Sequence, residues 1–290
     1  MKILQVIDTL NAGGAERVFI DMCNILYKNN KDISVLLLLE NEGILFAELH
    51  KEIPVFKLNR TDKWSLANFK KCYSIIRNFD IIQCHTRHVY KYIAVTRLIF
   101  NSKVKVIFQD HSSALLGKIE IGLIKYLIKP EFYISVSSER LNWALKKFNL
   151  NSKNIFLLEN IIRKKDTELV NDLKHELILV SNFKPNKNNL FAIDLAKKLG
   201  KNLLLVGKNQ DNEYYDKIKI QAEQSDLISI DSSITETQNV IKASELGLHT
   251  SKAETGPIVL IEYLAQRKPF LAYETGEVSK ILKPYFPEYF

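Results

Sequence analysis

Leu246-Gly247-Leu248-His249 and Pro269-Phe270-Leu271-Ala272-Tyr273 are short apolar runs, and Pro257-Ile258-Val259-Leu260-Ile261-Glu262-Tyr263-Leu264-Ala265-Gln266 lies between them. The outer runs have strand length. The middle one has apolar residues at helical spacing behind a proline, which is tolerated at the first helical position because its missing N–H costs nothing there. Strand, helix, strand is the βαβ unit of a parallel sheet.

The same alternation extends in both directions. Toward the N-terminus of this half lie strands Leu177–Val180, Asn202–Val206 and Leu227–Ile230, separated by helices Asn188–Leu199, Glu213–Gln224 and Glu236–Ala243; a last helix spans Glu277–Lys283. The first half has strands Lys2–Ile7, Ile33–Leu39, Pro54–Leu58, Asp80–Cys84, Lys103–Gln109, Phe132–Val136 and Ile155–Leu158. Helices Gly14–Tyr27, Leu66–Phe79, Tyr90–Phe100, Ile119–Ile128 and Ser138–Phe148 fall between them. Near-continuous Val, Ile and Leu runs suit a sheet covered on both faces. The fold class is therefore α/β, two tandem Rossmann-like doubly wound domains, with ligands expected in a cleft at the carboxyl ends of the strands. The polar stretch from Arg163 to Glu176 marks the junction, giving domains 1–162 and 163–290.

Composition agrees. At 290 residues, 46% hydrophobic and 26% charged, the chain has enough apolar material for two cores. The N-terminus enters a strand directly, without a secretory signal. The strongest apolar run, from Ile33 to Leu39, is too short to span a bilayer. Cys23, Cys72 and Cys84 form no C-x-x-C pair and read as reduced, buried thiols, so a cytoplasmic location is expected. The net charge of +8 is concentrated in the first half: residues 1–170 hold 26 Lys and Arg against 17 Asp and Glu. Such an excess attracts a nucleic acid, anionic headgroups or a phosphorylated substrate, or it is simply a solvated basic surface.

Two loops carry candidate chemistry. Asp8 to Arg17, with Gly13 and Gly14, follows a strand and opens a helix, where N–H groups and the helix dipole favour a phosphate; as a tight turn it needs no ligand. The spacing is not G-x-G-x-x-G, so dinucleotide binding is poorly supported. The second loop, Ser251 to Glu262, places Glu254 before a helix with Pro257 at its first position and Glu262 at its sixth. Gly256 permits close approach, N–H groups around Ile258 face an anion, and Glu262 can accept hydrogen bonds from vicinal hydroxyls. The plainer alternative is a capped helix with one solvated glutamate.

Gly13-Gly14-Ala15-Glu16-Arg17-Val18 resembles the N-terminal loop of family 4 glycosyltransferases, and Glu254 and Glu262, with seven residues between them, resemble that family's E-x7-E motif. The resemblance covers nearly the whole chain. It implies the GT-B fold, a nucleotide-diphosphate-sugar donor linked to UDP or GDP, no cofactor, no metal, and retention of anomeric configuration. Glu262 would then bind the donor ribose, Glu254 the transferred sugar, and Thr255, Gly256, Pro257 and Ile258 the diphosphate. Val180 to Asn188 resembles the first loop of the family's C-terminal domain. Lys187 matches its lysine; Asn182 stands where an arginine is common, with Lys184 supplying the second charge. His111 ends a strand where the family places a histidine facing donor or acceptor, and His85 ends another; either would bind the acceptor or help proton transfer, with His111 counted as catalytic beside Glu254 and Lys187. Charge neutralisation of the leaving diphosphate is the main electrostatic task, in a front-face transfer whose proton passes to a leaving phosphate oxygen.

Two departures stand out. Thr255 replaces a common glycine, and the chain ends at Phe290, where the family usually continues into helices that cross back to the first domain. The acceptor is expected to be a glycan or a lipid-linked molecule, in surface polysaccharide (capsule or O-antigen) or glycoconjugate assembly. The first domain would bind it. The segment from Gly117 to Pro130, apolar with spaced lysines, is either a helix on the sheet or a contact with an anionic inner-membrane surface. Rival readings are a nucleotide-sugar 2-epimerase and a basic nucleic-acid-binding protein. The second needs exposed aromatics among the basic residues, whereas Trp64, Tyr73, Tyr90 and Tyr92 sit at core-like spacing, so no nucleic-acid partner is expected.

Overall fold

The computed structural model describes residues 1–11, 13–62, 64–111, 129–166 and 175–290. The expected helix Ile119–Ile128 and most of the segment from Gly117 to Pro130 lie outside them, as does most of the expected linker. The chain divides into two compact units, Met1–Asn160 and Ile161–Phe290.

In the first unit, strands β1 (Lys2–Ile7), β2 (Asp32–Leu37), β3 (Val55–Lys57), β4 (Ile81–His85), β5 (Lys105–Asp110), β6 (Phe132–Ser135) and β7 (Ile155–Leu157) form one sheet in the order β3-β2-β1-β4-β5-β6-β7. Every pairing is parallel. Helices α1 (Gly14–Lys28), α2 (Leu66–Ile76), α3 (Arg87–Ile99) and α4 (Ser138–Phe148) alternate with the strands. Side chains alternate across the pleat. Leu4 and Val6 of β1, Ile82 and Cys84 of β4, and Val106 and Phe108 of β5 pack into one core layer with α2 and α3 residues. Ile7 of β1 and Val35 and Leu37 of β2 pack on the other face under Phe19, Ile20 and Cys23 of α1. All three cysteines are buried and free.

In the second unit, β8 (His175–Val180), β9 (Leu203–Val206), β10 (Ile228–Asp231), β11 (Ser244–His249) and β12 (Phe270–Ala272) form a parallel sheet in the order β10-β9-β8-β11-β12. Its helices are α5 (Asn189–Leu199), α6 (Asn212–Glu223), α7 (Thr237–Lys242), α8 (Ile258–Ala265) and α9 (Gly276–Leu282). Both sheets reverse direction of growth once, between β1 and β4 and between β8 and β11. That switch point opens the crevice where doubly wound sheets bind ligands.

Among the described residues the expected elements are present, with shifted ends. β8 begins at His175, so the last residues of the expected linker are strand, paired with Ser244 of β11. The helix expected from Tyr90 begins at Arg87, because Thr86 (φ 77°) turns the chain immediately after β4. Pro257 is not the first helical residue. Its ψ of 104° is extended, so it caps α8, which begins at Ile258 and makes Glu262 the fifth helical residue. Short 3-10 turns at Ile44–Glu48, Pro185–Lys187 and Pro287–Tyr289 went unanticipated, being too brief to show a period. Tyr90 and Tyr92 are buried, but Trp64 is 68% exposed and belongs to the surface rather than the core. Among the described residues no helix is long and apolar enough to cross a membrane, and no His, Cys, Asp and Glu cluster has metal-binding geometry.

Candidate functional site

The second unit brings Lys184, Lys187 and Glu254 together at its switch point. Lys184 and Lys187 follow β8, and Glu254 follows β11. Two loops are stitched to each other to achieve this. Lys252 N donates to Asn186 O (2.8 Å), Asn186 Nδ2 donates to Ala253 O (3.4 Å), and Thr250 Oγ1 donates to Lys187 O (2.9 Å). Asn188, in the left-handed region at φ 55°, ends the 3-10 turn and starts α5. From the other side, Glu277 N donates to Thr255 O (2.7 Å) and Thr275 Oγ1 to Ser251 O (3.1 Å). Gly276 (φ +78°) lies against this loop. A Cβ there would stand 2.8 Å from Pro257 Cδ and 3.0 Å from Glu254 Cβ. Only glycine adopts that backbone and leaves the room.

Lys187 Nζ forms an ion pair with Glu254 Oε1, with 18% and 10% of the two side chains exposed. His249, at the end of β11 and buried, places Nε2 3.8 Å from the same oxygen. Burial pushes the Glu254 carboxyl up, but contacts with His249, Lys187 and Ser251 outweigh it and bring it down to about 2. Glu254 is therefore ionised across the physiological range. Burial and then the neighbouring Lys187 charge pull the Lys184 ammonium down, with Glu254 opposing them. Two cations and a carboxylate thus share one half-buried loop cluster that is short of water. Asn182 is committed to the fold, its Oδ1 accepting from Lys208 N (3.1 Å). Glu262 is buried and accepts from Thr237 Oγ1 (3.0 Å) on the neighbouring helix. Thr255, Gly256, Pro257 and Ile258 form the loop and first turn between these carboxylates.

In the first unit, Gly13 caps α1 with extended backbone, φ −160°. A Cβ at Gly13 would meet the carboxylate of Glu16, so the helix N-terminus holds the protein's own anion. Burial raises the Glu16 carboxyl, its backbone N–H opposes this, and Asp8 adds to the rise. Gly14 is the first helical residue. The glycine that this loop cannot replace is Gly43 (φ +86°), whose Cβ would collide with the Leu10 carbonyl. His111 follows β5 and is half-buried; its Nε2 lies 3.1 Å from Nδ1 of His85, which is fully buried. Burial lowers the His111 ring to about 4 against the opposing Asp110 charge, so it is neutral at pH 7.

Sequence reasoning passed over His249 and Gly276. A lone histidine inside an apolar strand carries no signal. Gly276 did have one, as a glycine between a strand and a helix. A cavity of about 270 Å³ lined by Lys164, Lys165, Lys242 and Arg267 lies at the far, C-terminal end of α8, away from Glu254.

The family of glycosyl transferases group 1 matches residues 160–290. That match coincides within one residue with the compact second unit, which carries Lys184, Lys187, Glu254 and Glu262. The chain is a glycosyltransferase, with the second unit as its transferase domain. No curated protein matches the chain. Solved structures share the fold of both units. Alr3699/HepE of Anabaena, in complex with UDP-glucose, aligns with a TM-score of 0.79 at 18% identity, covering 97% of this chain and 82% of that one. The lipopolysaccharide outer core galactosyltransferase WaaB, in its apo form, gives 0.63 at 16% identity over 96% and 82%. An alpha-glucosyltransferase in complex with UDP and a 13-mer DNA containing a HMU base gives 0.65 at 14% identity over 94% and 80%. The transferase domain and the unit before it are thus the two parallel α/β domains of the GT-B fold.

Proposed function

We propose that the chain is a retaining, family 4-type glycosyltransferase that moves a hexose from a UDP- or GDP-linked donor to a glycan or lipid-linked acceptor, without a metal or other cofactor. The observation that carries this reading is the Lys187–Glu254 ion pair at the switch point of the transferase domain. A buried carboxylate held ionised can accept hydrogen bonds from sugar hydroxyls, while the adjacent Lys184 and Lys187 offset charge on a departing diphosphate. Lys187 would exchange its carboxylate partner for phosphate as the donor binds. Glu262, buried on the first turns of α8, suits a ribose, and the N–H groups that open α8 suit the diphosphate. UDP is the donor nucleotide favoured for testing, since Alr3699/HepE and the alpha-glucosyltransferase were captured with UDP-glucose and UDP.

The location proposed is cytoplasmic, peripheral on the inner face of the membrane, with a role in surface polysaccharide assembly. The basic excess of the first 170 residues supports an anionic acceptor or surface. The DNA-bound neighbour makes oligonucleotide the control that matters. In a thermal-shift panel of UDP, GDP and a single-stranded oligonucleotide, one nucleoside diphosphate should raise the midpoint, and Glu254→Gln should slow turnover of the matching sugar nucleotide by about 10²–10³-fold. Oligonucleotide binding without any nucleotide response would overturn the reading. Flotation with anionic and neutral liposomes tests the membrane surface; equal recovery with both removes it.

A further inference from the structure

A line of hydrogen bonds crosses the first sheet and ends on His111. Gln5 of β1, Gln83 and His85 of β4 and Gln109 of β5 lie on the sheet face under α1, and the last two are fully buried, as is Gln5. Gln83 Nε2 donates to Gln109 Oε1 (2.6 Å) and lies 3.4 Å from Met22 Sδ. Gln5 Nε2 donates to Gln83 Oε1 (3.1 Å), which leaves Gln5 Oε1 against His85 Nε2 at 2.8 Å. His85 Nδ1 then meets His111 Nε2 at 3.1 Å. Phe19 of α1 holds the His85 ring edge-on at 4.8 Å between centroids.

The line has a direction. A thioether accepts and cannot donate, so the Met22 sulfur fixes the nitrogen side of the Gln83 amide. That orients Gln5 with its oxygen toward His85. His85 must therefore carry its proton on Nε2 and accept at Nδ1, and His111 must donate from Nε2. The line ends at Gln109, whose Nε2 has no hydrogen-bond partner among the described residues. A buried orphan donor is destabilising, so a purely structural layer of apolar residues would be more stable.

We infer that Gln5 and His85 are positioning residues that hold His111 as its Nε2–H tautomer and present Nδ1 as a hydrogen-bond acceptor. Nδ1 has no hydrogen-bond partner among the described residues. On the transferase reading proposed above, which this role requires, Nδ1 accepts from a hydroxyl of the acceptor, and no proton changes atoms. The opposite tautomer would present a donor there and select a different group.

Full-length protein labelled with ¹⁵N-histidine tests this by long-range ¹H–¹⁵N correlation at neutral pH, with His85→Asn and His111→Asn variants for assignment. The expected result is that both rings are protonated at Nε2 alone, and that Gln5→Leu, which removes the acceptor, turns both into tautomeric mixtures. A wild-type His111 protonated at Nδ1, or a Gln5→Leu spectrum unchanged from wild type, overturns the inference. Should Gln5→Leu fail to fold, the wild-type tautomer decides alone. The spectrum does not depend on turnover: the expected tautomers in a protein that binds no sugar nucleotide uphold the relay and remove the transferase role.

Discussion

Glu254 is a carboxylate whose side chain is only 10% exposed yet whose proton affinity is lowered, from 4.5 to about 2. Because the folded value lies below the unfolded one, its ionised form stabilises the fold fully above about pH 4.5. That contribution disappears as the pH falls through 2, and amounts to on the order of 3 kcal/mol. Urea unfolding should therefore show a stability gap between wild type and Glu254→Gln at about pH 6 that narrows at about pH 3. A gap of constant width would mean that the ion pair with Lys187 is absent in solution. Removal of the charge should also slow transfer by about 10²–10³-fold, the usual cost of one preorganised electrostatic contact, read as loss of UDP release. Lys187→Met should cost stability as well as rate, because it strands a buried carboxylate.

At the scale of elements, the loop that carries Glu254 is positioned by packing on both sides. Gly276 at the start of α9 stands where a side chain would press on Pro257 and Glu254. Gly276→Ala should lower stability by about 1–3 kcal/mol, from a disfavoured backbone conformation and a clash together. It should raise the donor KM more than it changes kcat; an unchanged KM would show that the loop does not need this support. Beneath the same helix pair, Gly247 of β11 lies under the ring of Tyr263 in α8, whose hydroxyl donates to Leu248 O (3.0 Å). A methyl at Gly247 would meet the hydroxyl-bearing end of the ring, 2.6 Å from Cζ, so Gly247→Ala should cost about 1–3 kcal/mol by overpacking, measurable as a lower midpoint in denaturant.

At the scale of the molecule, each unit has its own sheet and cores, and both tryptophans, Trp64 and Trp143, belong to the first. Tryptophan fluorescence therefore reports one unit and far-UV circular dichroism both. The two unfolding curves should not coincide, as they would for a single cooperative unit. A nucleotide bound by the transferase domain should raise the dichroism midpoint more than the fluorescence one. At 100-fold over Kd the stabilisation is about 2.7 kcal/mol. Coincident curves that shift together would mean that the units unfold as one.

The sequence by itself determined the element order, the parallel sheets and the Glu254, Glu262 and Lys187 motif, because periodicity, proline and glycine punctuation and residue spacing are local properties of the chain. Even there, the start of α8 was misplaced by one residue, since a proline is as acceptable at the cap as at the first helical position. Tertiary structure alone decided which side chains meet. Lys187 and Glu254 are 67 positions apart and pair only because β8 and β11 are neighbours in the sheet. Gln5, 80 positions from His85, reaches it because β1 pairs with β4. Trp64 shows the same limit in reverse: its spacing suited a core, and only the packing of the unit left it on the surface. Local patterns record what each segment prefers, whereas strand order, which no segment contains, sets the partners, and with them the ionisation of Glu254 and the neutral state of His111.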